Sequence, residues 1–216
     1  MGRTKCTRIR SADSSFASTE MPRAVIVVAL LSLVAVACGP RREPEFIEEE
    51  LAARAIEVLH LMPIVDVRTD PFDNVAMMQH LRDISVRVLD DKGYTAVPVV
   101  LSKDSPAVTS GDLARMSDAE LAARAPQEAR YIVVVYLEDV KTDVDELGET
   151  TRVRLGGRLI DVAAAHLLWR DFAYGESDLG GLLTVLSGPA TSYEAAYDSV
   201  RALFATLPDG SHARKR

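Results

Sequence analysis

The apolar positions of this chain change period along its length, and each period predicts an element. Residues 131–137, Tyr-Ile-Val-Val-Val-Tyr-Leu, form an unbroken β-branched and aromatic run. A run with no polar alternation is buried on both faces, which predicts a central strand. Residues 56–62 form a second run, halted by Pro63, and predict another strand that residues 64–68 extend. Thr69-Asp70-Pro71 predicts a turn. Met77, Leu81, Ile84 and Val88 then recur at spacings of three and four, the stripe of a helix, widened by Met78 and Leu89. Asp73 or Asn74 would cap its start, and Gly93 would end it as a left-handed residue. Residues 94–101, rich in valine, predict a further strand, as do residues 152–162 and 167–174, joined as a hairpin through Ala163, Ala164 and Ala165.

Two Ser/Thr-x-x-Glu patterns predict helix starts in which the side chains satisfy each other's orphan amides. Ser117 with Glu120 opens a short helix before Pro126. Thr191 with Glu194 opens the last helix, whose stripe is Ala196, Val200, Leu203 and Leu207, closed by Pro208-Asp209-Gly210. The resulting order is strand, helix, strand, helix, three strands, helix. A strand–helix–strand start needs a crossover and favours parallel pairing, while the later meander favours antiparallel pairing. The fold class expected is α/β, a mixed β-sheet with helices packed on it.

The N-terminus carries the most specific signal. Residues 24–37 are apolar, follow Met21-Pro22-Arg23, and end in Ala35-Val36-Ala37-Cys38. A bilayer span takes about 20 apolar residues, whereas a signal-peptide core needs roughly 7 to 15. Small residues before a cysteine resemble a lipoprotein cleavage site. The expectation is a signal peptide over residues 1–37, with Met21 as the true start, and a lipid such as palmitate on Cys38. Residues 38–54 would form the lipidated N-terminus and tether, residues 55–210 one α/β domain, and residues 211–216 a disordered basic tail. A tether of about a dozen residues reaches roughly 40 Å when extended. Gly39 after the cysteine favours the outer membrane, facing the periplasm.

Charge changes the picture further. Loss of residues 1–37 moves the net charge from −7 to −10. An acidic surface repels phosphate backbones, so nucleic acid is not an expected partner. With Cys6 in the leader and Cys38 acylated, no thiol remains for a disulfide or a thiolate metal site. His60, His80, His166 and His212 share no ligand spacing, and no catalytic motif is present. No catalytic residue, metal or cofactor is therefore expected.

Three segments are candidates for contact. Arg152, Arg154 and Arg158 alternate along one strand and share a face, opposite Val153, Leu155 and Leu159. That stripe would meet an acidic partner or an anionic glycan such as peptidoglycan, or be a solvated face paired with carboxylates. Asp66, Arg68, Asp70 and Asp73 form a possible ligand edge after the first strand, or serve turn and cap chemistry. Leu182, Leu183 and Leu186, beside Gly180-Gly181, would be a partner contact or a lid on the domain's own core. Asp143, Asp145, Glu146 and Glu149 read as a solvated hairpin tip.

Lys92-Gly93-Tyr94 leading to Val97-Pro98-Val99, the strand 131–137, Asp161 followed by Leu168-Trp169, and the helix 193–208 closed by Leu-Pro carry a resemblance. Together with the cleavage-site pattern, they resemble envelope lipoproteins of the TolB-N-terminal-domain-like fold, over residues 56–210. That group includes activators of penicillin-binding proteins, lipoproteins related to the curli secretion component, and an uncharacterised lipoprotein family, which this chain is most similar to. Members often place Thr-Gly after the aspartate, where this chain has Ala164-Ala165. The resemblance implies a non-catalytic assembly, scaffolding or activator component of an envelope complex. A periplasmic small-ligand or glycan-binding lipoprotein is the alternative. The partners implied are the membrane, through the lipid on Cys38, and an envelope protein or a second copy.

Overall fold

The structure is a computed structural model that describes residues 42–68, 75–100, 110–145, 148–180 and 190–211. Residues 1–37, Cys38, Asp70, Asp73, Asn74, Leu182, Leu183, Leu186 and the tail beyond Ser211 lie outside the described residues. Its strands are β1 (Phe46–Ile47), β2 (Val58–Leu61), β3 (Val65–Asp66), β4 (Thr95–Pro98), β5 (Tyr131–Asp145), β6 (Gly148–Asp161) and β7 (His166–Gly180). Its helices are α1 (Val75–Asp91), α2 (Ser110–Arg115), α3 (Asp118–Ala123) and α4 (Ala190–Phe204). They build one mixed α/β sheet in the order β1-β7-β6-β5-β2-β4, with β3 beside β5. β2 pairs in parallel with β4 and β5, and β5, β6 and β7 form an antiparallel meander, as the element order predicts.

β5 sorts its side chains into two cores. Tyr131, Val133, Val135 and Leu137 face one side, where the α1 stripe (Met77, Leu81, Ile84) and the α4 stripe (Ala196, Val200, Leu203) cover them. Ile132, Val134 and Tyr136 face the other, against Leu113 of α2 and Leu121 of α3. This two-sided cover is why the run contains no polar position.

The termini of the elements follow local chemistry. Gly93 sits at φ 83°, and α1 ends with Tyr94 N–H donating to Leu89 and Gly93 N–H to Asp90. That is the doubled closure in which a left-handed residue satisfies the last carbonyls. At α3, Ser117 and Glu120 form the predicted capping box. The helix of the second pattern, α4, includes Thr191 in its first turn, and the Glu194 carboxylate accepts from the Ser177 hydroxyl of β7 at 3.0 Å.

Three further expectations are corrected. Residues 64–68 do not extend β2: Pro63 separates them, and β3 pairs with β5 at Tyr136 and Leu137. Residues 143–145 and 148–149 belong to strands rather than to a loop, because β5 and β6 pair through Asp143↔Thr150, Val144↔Glu149 and Asp145↔Gly148. The stretch read as a free tether is fastened from Arg42 onward. β1 pairs with β7 at Arg170 and Trp169, Glu48 N–H donates to Leu168, and Arg42 pairs with Asp171 at 2.9 Å.

The hairpin between β6 and β7 holds Ala165 at φ 49°. The Asp161 carboxylate shapes this turn by accepting from the N–H groups of Ala163 and Ala164. A Cβ in the left-handed region costs roughly 1–2 kcal/mol, which glycine avoids. Ala165→Gly is expected to raise stability by about 1 kcal/mol in urea denaturation. An unchanged or lowered midpoint would contradict the strained-turn reading.

Candidate functional site

On β6 the even positions face away from α4, and β5 and β7 supply the neighbours. Gly156 pairs with Tyr136 of β5 and with Phe172 of β7. Along β6 it is flanked by Arg154 and Arg158, which pair across to Tyr174 and Arg170. A residue without a side chain thus sits at the centre of a patch of large ones, and the result is an open cleft of about 320 Å³. Its lining includes Tyr136, Glu138, Arg154, Arg158, Arg170 and Phe172.

The strand irregularity between Leu137 and Asp139 leaves Glu138 as the extra residue of a bulge. Bulges re-aim side chains, and here the carboxylate lies over the glycine. A Cβ built on Gly156 would come within 2.5 Å of the Glu138 Oε1 atom. Glu138 pairs with Arg154 at 2.8 Å. Arg154 also lies over the rings of Phe172 and Tyr174, at 5.1 and 5.4 Å from their centroids. Arg158 stands 5.3 Å over the Tyr136 ring and pairs with Asp118 of α3 at 3.3 Å. Arg170 pairs with Glu45, just before β1, at 3.1 Å.

Three donors in the cleft lack a hydrogen-bond partner: the Tyr136 hydroxyl, Arg170 Nε and Arg154 Nε, which lies 2.8 Å from Glu138 without hydrogen-bond alignment. Tyr136 is only 6% exposed. Its burial pushes its hydroxyl pKa above the ordinary value, more than the Arg158 charge lowers it. The phenol is therefore a neutral donor at physiological pH.

Further along the same face the patch becomes an exposed ladder of opposite charges. Arg152 donates to Glu176 at 3.0 Å and lies 3.7 Å from Asp143, and the Thr150 hydroxyl donates to Asp178. The Glu176 hydrogen bond and charge raise the Arg152 pKa. Tyr174 (57% exposed) adds apolar surface.

The structure places the predicted residues as follows. Arg152, Arg154 and Arg158 do share one face, and Val153, Leu155 and Leu159 are buried on the other. Each of the three arginines has a carboxylate partner. At the possible ligand edge, Asp66 and Arg68 grip one another through Nε at 2.9 Å and Nη2 at 2.6 Å. Burial raises the Asp66 pKa, but the Arg68 side-chain and backbone hydrogen bonds and its charge outweigh this and leave it lowered. The described histidines lie on separate elements: His60 is buried in β2, His80 of α1 packs edge-on to Tyr193 of α4, and His166 of β7 lies 3.7 Å from Glu48. Among the described residues no group of three or more His, Cys, Asp or Glu is arranged to hold a metal. Also among them, no helix is long and apolar enough to cross a membrane.

The sequence reading did not single out Tyr136, Glu138, Gly156, Arg170 or Phe172. One signal was available: two adjacent glycines inside a strand mark a close approach or a missing side chain. Gly157 serves the opposite face, where a Cβ would meet the Trp169 ring at 3.0 Å.

No protein-family model and no curated protein matches the chain. Solved structures do resemble it. The lipoprotein GNA1162 from Neisseria meningitidis is 16% identical over 56% of this chain and 83% of its own, with a TM-score of 0.45. The PelC dodecamer from Paraburkholderia phytofirmans is 15% identical over 72% of this chain and 91% of its own, with a TM-score of 0.43. The C-terminal domain of LpoB from Escherichia coli is 14% identical over 55% of this chain and 81% of its own, with a TM-score of 0.35.

Proposed function

We propose that this chain is a bacterial lipoprotein, anchored to the membrane by a lipid on Cys38. It acts as a non-catalytic assembly, scaffolding or activator component of an envelope complex, at the outer membrane facing the periplasm. The observation that carries the assembly role is the exposed face built by Arg152, Arg154, Phe172 and Tyr174. Arginine and aromatic side chains are the types enriched where proteins meet. The anchoring rests on the apolar run and its Ala-Val-Ala-Cys ending. The pairing of Arg42 with Asp171 fits this arrangement, because three residues, Gly39, Pro40 and Arg41, separate the lipidated cysteine from that fastened arginine. A short leash of that kind keeps the body close to the bilayer.

The occupant of the face is an envelope protein or a second copy of the chain. The double variant Arg152→Glu, Tyr174→Ser is expected to fold, since both side chains are exposed. It should lose at least about ten-fold in recovery of envelope crosslinks, and any homo-oligomer should dissociate; ten-fold corresponds to about 1.4 kcal/mol. Full recovery with an unchanged oligomeric state would remove the face from the account.

A second reading, a periplasmic small-ligand or glycan-binding lipoprotein, is favoured by one observation. That is the cleft over Gly156 with its unpartnered Tyr136 hydroxyl.

A further inference from the structure

We infer that the cleft over Gly156 is a binding site for a carboxylate carried by a small polar ligand, of the size of an amino acid or an acidic sugar. The inference rests on the second reading above and names its chemistry. Four observations support it.

The space is created by sequence rather than left over. Every cross-strand and same-strand neighbour of Gly156 on this face is large, and only the glycine keeps the centre open. The charge of the lining is the second. In a chain with a net charge of −7, three guanidinium groups (Arg154, Arg158 and Arg170) converge on one cleft, balanced there by the carboxylates of Glu45, Glu138 and Asp171. Two of their carboxylate partners, Asp118 and Glu45, are partly exposed side chains brought from α3 and from the stretch before β1. Exposed pairs of this kind contribute little and exchange readily for another oxyanion. Third, the Tyr136 hydroxyl and Arg170 Nε are buried donors with no acceptor. A buried donor left without a partner is unfavourable, and an incoming oxygen would satisfy it.

The resident side chain is the fourth. The bulge brings the Glu138 carboxylate over the glycine and onto Arg154. Glu138 supplies opposite charge 2.8 Å from Arg154 Nε but no aligned hydrogen bond, so the guanidinium's preference for a planar, fork-matched carboxylate is left unmet. Glu138 therefore marks the chemistry of the site and competes for it. The ligand carboxylate takes Arg154 and Arg170, accepts from Tyr136, and displaces Glu138 toward solvent.

The test is titration calorimetry on the full-length protein, with four probes: N-acetylmuramate, D-alanyl-D-alanine, N-acetylglucosamine and inorganic phosphate. The first two carry a carboxylate on a sugar and on a peptide end, and whichever binds tighter identifies the source. N-acetylglucosamine keeps a sugar ring without the carboxylate and should not bind. Phosphate should bind at least ten-fold more weakly than the better carboxylate. Gly156→Ala fills the centre, touching only the movable end of Glu138, and should weaken binding at least ten-fold. Arg154→Gln should do the same. Glu138→Gln removes the internal competitor and should tighten binding several-fold, an outcome that a merely structural glutamate would not give. The inference is overturned if neither carboxylate binds the parent or the Glu138→Gln protein. It is equally overturned if the neutral sugar or phosphate binds as well, or if Gly156→Ala and Arg154→Gln both bind undiminished. Because the titration contains no envelope partner, its failure leaves the crosslinking result untouched.

Discussion

Gly175→Ala is expected to unfold most of this protein at temperatures where the parent is folded. β7 and α4 touch backbone to backbone at this glycine. An added Cβ would sit 1.9 Å from the Ala195 carbonyl oxygen and 2.3 Å from the Ser199 amide nitrogen. Neither atom belongs to a flexible side chain, so α4 would have to lift from the sheet. That helix contributes Ala195, Ala196, Val200, Leu203 and Phe204 to the larger core. Overpacking commonly costs 1–3 kcal/mol, and a backbone clash lies at or beyond the upper end, about 3 kcal/mol or more. For a domain of this size that lowers Tm by roughly 10 °C. Gly156→Ala is the internal control. Its Cβ would meet a carboxylate that can swing away, so it should cost less than about 1 kcal/mol. Circular dichroism melts of the two variants compare the sites directly. Equal shifts would contradict the packing described for β7 and α4.

The second large effect is expected at Trp169. Its side chain is fully buried, stacks on Phe204 with ring centroids 6.0 Å apart, and donates its indole N–H to the Thr206 hydroxyl at 3.1 Å. Thr206 in turn donates to Asp171, a buried carboxylate that also accepts from Arg42 and from the Phe172 amide. The indole therefore fills volume and also positions a polar relay that holds the residues before β1 in place. Trp169→Ala should cost about 3–5 kcal/mol through the cavity it leaves. Trp169→Phe keeps most of the volume and loses the N–H, so it should cost about 1–2 kcal/mol. Urea denaturation of both variants gives the split. If Phe and Ala cost the same, the indole acts through the relay and not through packing.

The parts of the fold legible in the sequence are those whose cause is local or periodic. Residues 131–137 read as a central strand because helices cover both of its faces, so no polar position is tolerated. The stripes of α1 and α4 read as helices because each has one buried side. Gly93 and Ser117 announced element ends through chemistry within a few residues. Two segments quoted for the family resemblance also meet in space: the Tyr94 hydroxyl donates to the Pro208 carbonyl.

What escaped the sequence depends on distant partners. Phe46 and Ile47 are two residues long as a strand, too short for any period, and their pairing is with β7 more than a hundred residues away. The polar stretch from Glu138 to Asp145 read as strand end and loop because its stability comes from cross-strand pairs rather than burial. Glu194 read only as part of a capping pattern, whereas its bond to Ser177 of β7 joins residues 17 apart in the chain. The cleft was half legible. The arginine alternation gave one row of it, whereas Tyr136 read as core, and the register that sets Gly156 between Tyr136 and Phe172 comes from the pairing of three strands.

Membrane anchoring requires a lipid-bearing cysteine at the mature N-terminus. Intact-mass measurement of the protein extracted from membranes decides it, alongside a Cys38→Ala variant. The expected parent begins at residue 38 with the added mass of its acyl chains and partitions with the membrane fraction, while the variant retains its leader and takes no lipid. A parent of unmodified mass that begins upstream of Cys38, or a variant of matching mass and fractionation, would contradict the anchored reading.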